Sequence, residues 1–236
     1  MSADPDNAGF LEHLEALRSV LLKILLLFIL GCIPGWYFSE TLLKLLLGYA
    51  APEGFALHYF TLMEPFLTRL KIMLMLSLCI TLPGALWWIW GFISPALTVS
   101  ERRALRLPVL AVLLLAALGA AVTILFIIPA LVRFSLSFAG PEMRPVIGIG
   151  DFVSLILLVI LAGMILFQLP MVLLGLLTIG VVQLETVRKK RPLVIVVIFI
   201  LAAVFSPPDV FSQLLLAIPT WLLFELSLLL YSMRKK

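Results

Sequence analysis

The sequence predicts an all-α integral membrane protein of six transmembrane helices, the last two short. Three observations predict it. Apolar residues make up 63% of the 236 positions and mean hydropathy is +1.21, more apolar surface than a water-soluble domain of this length can bury. That surface is gathered into runs bounded by charge, proline or glycine. Basic residues fall mostly on one side of those runs. The organisation is a cytoplasmic amphipathic segment at 1–19, a membrane domain at 20–231 and a basic cytoplasmic tail at 232–236.

The opening, MSADPDNAGFLEHLEALR, carries acids and no early basic stretch, so it does not read as a cleaved leader. Within it, Phe10, Leu11, Leu14 and Leu17 share one helical face, and Glu12, Glu15 and Arg18 the other. This amphipathic helix runs into the first span, at about 20–38, which Trp36 and Tyr37 anchor at the outer interface. Residues 39–69 form the largest outer segment, where ETLLKLLLGYA (40–50) reads as an amphipathic helix lying at the interface. The second span, 70–92, ends inside on Trp87, Trp88 and Trp90. FISPALTVSERRALRLP (92–108) is the first cytoplasmic loop, with Ser100–Arg103 as a charged turn. The third and fourth spans cover about 108–132 and 151–178.

Charge decides the remainder. Residues 188–191 (Arg-Lys-Lys-Arg) precede the last apolar region and Arg234, Lys235 and Lys236 follow it. Basic flanks favour the cytoplasm, so the chain between them crosses an even number of times. Pro207 and Pro208 exclude a continuous helix, which divides the region into spans at 193–205 and 211–231 with SPPD as the outer turn. A run of 13 residues rises only about 20 Å against a hydrocarbon core of about 30 Å, so this hairpin thins the bilayer or leans on other helices. On this topology 12 of the 17 basic residues lie on the cytoplasmic side with both termini. Prolines at 34, 83, 129, 170 and 219 are either tolerated in lipid or kink helices into a curved wall.

Enzyme signatures are missing from the sequence: there is no H-E-x-x-H, G-x-S-x-G, phosphate-binding loop or C-x-x-C. No cofactor, metal site or nucleic-acid partner is expected. His13 lies beside Glu12 and Glu15, and reads as solvated. Cys32 and Cys79 sit in apolar runs as small packing residues. Polar side chains in or beside the spans are few, which makes Glu64, Gln168, Asp209, Gln213 and Glu225 candidate intramembrane or partner contacts. Gln168 reads either as a contact for a groove or partner helix, or as an internal bond relieving the carbonyl freed by Pro170. Asp209 reads as the helix N-cap of the last span or as a site at the outer turn. Glu225 snorkels towards the basic cluster or marks a site. A solute transporter would need a midplane polar site drawn from several spans, and Gln168 is nearly alone. On the cytoplasmic side, Glu12, Glu15 and Glu101 could form an acidic patch for a basic peptide, because carboxylates hold guanidinium in a two-pronged grip.

Together FLEHLEALR (10–18), MEPFLTRLK (63–71), FISPAL and SERR (92–103), RKKRP (188–192) and SPPDVFSQLLLAIPTWLLFE (206–225) resemble the TatC family, the polytopic core of the twin-arginine protein translocase. The resemblance covers nearly the whole chain. It implies six helices in a concave, cupped bundle, both termini cytoplasmic, in the bacterial inner membrane. It implies a receptor for twin-arginine signal peptides of folded proteins, assembling with single-span TatA and TatB subunits and as a homo-oligomer within the receptor complex. Transport is then driven by the proton motive force. Family members bind the arginine pair with acids on the N-terminal segment and the first cytoplasmic loop. Glu101 matches the loop acid, with Arg102 and Arg103 beside it. The family's H-L-x-E-L-R places its other acid at Ala16 here. Glu15 is adjacent but about 100° round a helix, and Glu12 lies on Ala16's face, with Arg18 closing the motif. Gln168 stands where many relatives carry glutamate, so it can hydrogen-bond but not titrate.

Overall fold

Apolar runs without strong breakers become long helices, and a computed structural model of the chain shows where they end. It describes residues 5–50, 57–96, 98–138, 146–207 and 209–234, with the side chains at 5–12, 96, 99–109 and 234 outside the description. The helices are α1 (Pro5–Ala50), α2 (Glu64–Ile93), α3 (Val99–Val122), α4 (Ile128–Ser137), α5 (Ile149–Leu166), α6 (Leu169–Ile179), α7 (Leu184–Lys189), α8 (Arg191–Phe205) and α9 (Val210–Arg234). Among the described residues, five stretches are long and apolar enough to cross a membrane: His13–Ala50, Glu64–Ile93, Leu110–Ser137, Ile149–Ile179 and Val210–Met233. α8 is a further apolar helix of 15 residues, about 22 Å long and so well short of a full hydrocarbon core.

The first helix departs from the sequence reading. Residues 40–50 are not a separate interfacial helix; they continue α1, which runs for 46 residues through Pro34. No breaker stands between Gly35 and Gly48, and this outer end has packing of its own. Ser39, Leu46 and Ala50 are buried, and α1 contacts α4 as well as α2. The main α1–α2 seam depends on small residues. A β-carbon on Gly35 would lie 2.8 Å from the Met73 carbonyl oxygen, and the Ser77 hydroxyl donates to the Phe28 carbonyl. Lipid tails are as apolar as leucine, so close backbone approach and interhelical hydrogen bonds hold such helices together.

The fourth span also differs. It is not one helix but α5 and α6, divided at Phe167 and Gln168. Pro170 has no N–H for the Leu166 carbonyl, and the Gln168 N–H turns to Ile165 O at 3.0 Å, which closes α5 in a tighter turn. Gly180, with φ 81°, ends α6 in the left-handed conformation that suits glycine. α5 is the centre of the molecule, in contact with α2, α3, α8 and α9. It meets α3 where Gly119 faces Gly163: a β-carbon on Gly119 would sit 2.6 Å from the Gly163 carbonyl oxygen. A single π-helical turn, Thr123–Ile127, joins α3 to α4 beside this crossing.

Beyond the C-terminal end of α1 a two-residue parallel pair ties two connections together, Leu57 opposite Ile147 and His58 opposite Gly148. Glu64 completes the tie. Its Oε2 accepts the Phe60 N–H at 2.7 Å and its Oε1 accepts the Gly150 N–H at 2.8 Å, so one carboxylate joins the starts of α2 and α5.

Candidate functional site

The N-terminal segment and the segment after α2, both acid-bearing, meet at one end of the molecule. The His13 ring stacks on Phe92 with centroids 4.7 Å apart, which docks the start of α1 beside the end of α2. A short 3-10 turn, Ser94–Ala96, follows, and then α3, whose first turns carry Glu101, Arg102 and Arg103. The side chains of these three residues, like that of Glu12, lie outside the described residues.

One turn along α1 from His13, a shallow concavity of about 460 Å³ is lined by Glu15, Arg18, Ser19, Leu22, Lys23 and Leu26. Four of these are polar or charged and point the same way because they recur at helical spacing. Glu15 and Arg18 are exposed, and neither makes an ion pair among the described residues. Chemically the surface offers an acid and two bases above an apolar strip. The histidine stack is missed in the sequence, where His13 reads as solvated. The signal that could have found it is that His13 and Phe92 are both assigned to the cytoplasmic face.

The remaining candidates lie elsewhere. Gln168 is half-buried at the α5–α6 break, where its Nε2 donates to Val112 O at 3.1 Å and to Met164 O at 3.3 Å. The Met164 carbonyl has lost its usual helical donor, because the Gln168 N–H is on Ile165. The side chain thus relieves the carbonyl at 164 and not the one at 166. Its Oε1 is buried without a hydrogen-bond partner among the described residues. It borders a groove of about 260 Å³ whose walls include Leu86, Trp90, Ile93 and Met171.

Asp209 precedes α9, where its carboxylate accepts from the Ser212 N–H at 2.7 Å and from the Ser212 hydroxyl. This is N-cap geometry. Gln213 donates to Phe199 O at 2.9 Å, bridging α9 to α8, and borders a groove of about 420 Å³ formed mainly by α8. Glu225 reaches Arg191 at 3.4 Å, the last residue of the basic cluster. Glu64 is the outer tie already described. Glu64 therefore ties the starts of α2 and α5, Asp209 and Gln213 serve the turn between α8 and α9, Glu225 serves the start of α8, and none of them joins His13 and Phe92 among the described residues.

Comparison with known proteins shows the family and the fold. The family described as Sec-independent protein translocase protein (TatC) matches residues 12–219. A Sec-independent protein translocase protein TatC from Carboxydothermus hydrogenoformans is 35% identical over 220 residues, covering 92% of this chain and 90% of that protein. One from Escherichia coli K12 is 31% identical over 94% of this chain and 87% of its own length. Among solved structures, a crystal structure of the twin arginine translocase receptor TatC in DDM superposes with a TM-score of 0.82 at 31% identity, covering 92% of this chain and 98% of that one.

Proposed function

The chain belongs to the TatC family of Sec-independent protein translocase proteins, and from that premise we propose that it is the signal-peptide receptor and core subunit of a twin-arginine translocase. It is a multi-pass membrane protein of that translocase. The observation that carries the receptor reading is the His13–Phe92 stack, which brings α1 and the segment leading to Glu101 to one cytoplasmic end. A peptide with two arginines needs two carboxylates spaced to grip two planar guanidinium groups. Glu101 supplies one. Glu15, exposed in its concavity, or Glu12, on the face of Ala16, supplies the other. The apolar strip at Leu22 and Leu26 then suits the apolar stretch that follows an arginine pair in such a peptide.

Partner subunits of the TatA and TatB kind, each a single apolar helix, fit the grooves at Gln168 and along α8. The apolar walls of the groove beside Gln168, at Leu86, Trp90, Ile93 and Met171, support this, because they suit the side of an arriving apolar helix. Because Gln168 does not titrate, the proton motive force acts without proton transfer at this position. The protein works in the bacterial inner membrane with both termini cytoplasmic, as a homo-oligomer within the receptor complex. It does so by binding and assembly, without covalent chemistry of its own.

The test is binding of a twin-arginine signal peptide to the purified protein, against a twin-lysine peptide. The arginine peptide is expected to bind more tightly, and Glu101→Ala to weaken it by about tenfold or more, as loss of a charge-assisted pair demands. Glu15→Ala and Glu12→Ala then identify the second acid. Equal binding of both peptides, unchanged by Glu101→Ala, contradicts the reading.

A further inference from the structure

An apolar groove of about 500 Å³ lies between α1, α2 and α5. Phe28, Leu74, Leu78, Leu158 and Leu161 line its length, and Lys71 and Ser154 stand at the end nearer the Glu64–Gly150 tie. Lys71 is seven residues into α2, about 10 Å along the helix from Glu64. Exposed aromatic and apolar side chains cluster beyond it at Tyr59, Phe60 and Met63, a composition that marks the interfacial level of a bilayer. The groove therefore starts just below the outer headgroups and runs inward.

A lysine at this depth is costly in lipid unless its charge is answered. Lys71 Nζ donates to Ser154 Oγ at 2.7 Å, and the Ser154 hydroxyl in turn donates to Gly150 O. That relay fixes the ammonium and leaves two of its three N–H groups free. Among the described residues no carboxylate lies within ion-pair distance of it. The acid nearest along its own helix, Glu64, is occupied by the amides of Phe60, Thr61 and Gly150. The groove thus combines a positioned ammonium, which the Glu64 carboxylate reaches only at longer range than an ion pair, with an apolar trough. Its exposed leucines, Leu74, Leu78 and Leu158, open it sideways to the membrane.

We propose that this groove is a binding site for an anionic phospholipid of the outer leaflet. A phosphate oxygen accepts from Lys71, and an acyl chain lies along Leu74, Leu78 and Leu158. Charge complementarity selects the headgroup, and the trough selects an amphiphile over a free anion. The site is separate from the cytoplasmic cluster and does not depend on the receptor reading.

The test is native mass spectrometry of the detergent-purified chain after adding phosphatidylglycerol, phosphatidylcholine of the same acyl chains, or inorganic phosphate. Phosphatidylglycerol is expected to be retained in preference to phosphatidylcholine. Lys71→Gln should cut that retention about fivefold, the weight of one lysine facing an anionic headgroup. Lys44→Gln, whose ammonium pairs with Glu40 at 2.9 Å, should leave it unchanged. Ser154→Ala keeps the charge but releases the ammonium, and is the second variant should Lys71→Gln fail to fold; it too should weaken retention. Three results would overturn the proposal: equal retention of the two lipids, retention unchanged in the lysine and serine variants, or displacement of the lipid by inorganic phosphate. Displacement by a signal peptide would assign the groove to the peptide instead and overturn it equally.

Discussion

At the turn between α8 and α9, the Asp209 carboxylate accepts the Ser212 N–H and so gives a first-turn amide of α9 a partner that the helix itself cannot supply. Asp209→Ala should cost about 1 kcal/mol of stability, and Asp209→Asn should restore most of it, as measured by unfolding in detergent. If alanine and asparagine behave alike, the residue is not acting as a cap. This role is legible in the sequence, because an aspartate after two prolines and ahead of an apolar run is a local signal for a helix start. Glu225 is legible for a similar reason, since the basic cluster it reaches through Arg191 is written in the sequence. Glu64 is legible only as a polar residue near a span. Its decisive partner, the Gly150 N–H, is 86 residues away, and a backbone donor leaves no trace in side-chain pattern. The His13–Phe92 stack is hidden in the same way, because no local periodicity pairs the ends of two different helices.

At the scale of elements, proline is an ambiguous sign. Pro34 lies inside α1 without ending it, whereas Pro170 stands just past a clear break. The difference is what can satisfy the freed carbonyls. At the break, the Gln168 N–H drops back to Ile165 and the side chain takes up Met164, so the chain gains a glutamine whose oxygen is left unpaired. The outer end of α1 misleads because amphipathic periodicity looks the same on a bilayer surface and against a neighbouring helix; burial of Leu46 and Ala50 decides it. The break between α8 and α9 is legible, since proline is a local signal. The shortness of α8 has a functional consequence on the proposed reading. A 15-residue α8 presents a wall lower than the bilayer, a place where a single-span partner relieves the mismatch. Inserting one turn of leucines into α8 should reduce co-purification of a TatB-type partner severalfold while signal-peptide binding survives. Undiminished co-purification would remove the mismatch from the account.

For the molecule as a whole, sidedness organises everything else. The distribution of lysine and arginine by itself assigns the acids of the N-terminal segment and the first loop to one face. Folding adds the His13–Phe92 contact between the two segments, and elsewhere a Glu64 tie between the starts of α2 and α5 and an Asp209 cap on α9. The central claim is that α1 and the α2–α3 connection act as one surface for an arginine pair. It is tested most directly by a signal peptide carrying a photo-activated cross-linker next to its two arginines. The account predicts adducts in both residues 13–26 and residues 94–103, lost together when the arginines become lysines. Adducts confined to the outer turns or to the groove at Gln168, or unchanged by the lysine substitution, would contradict it.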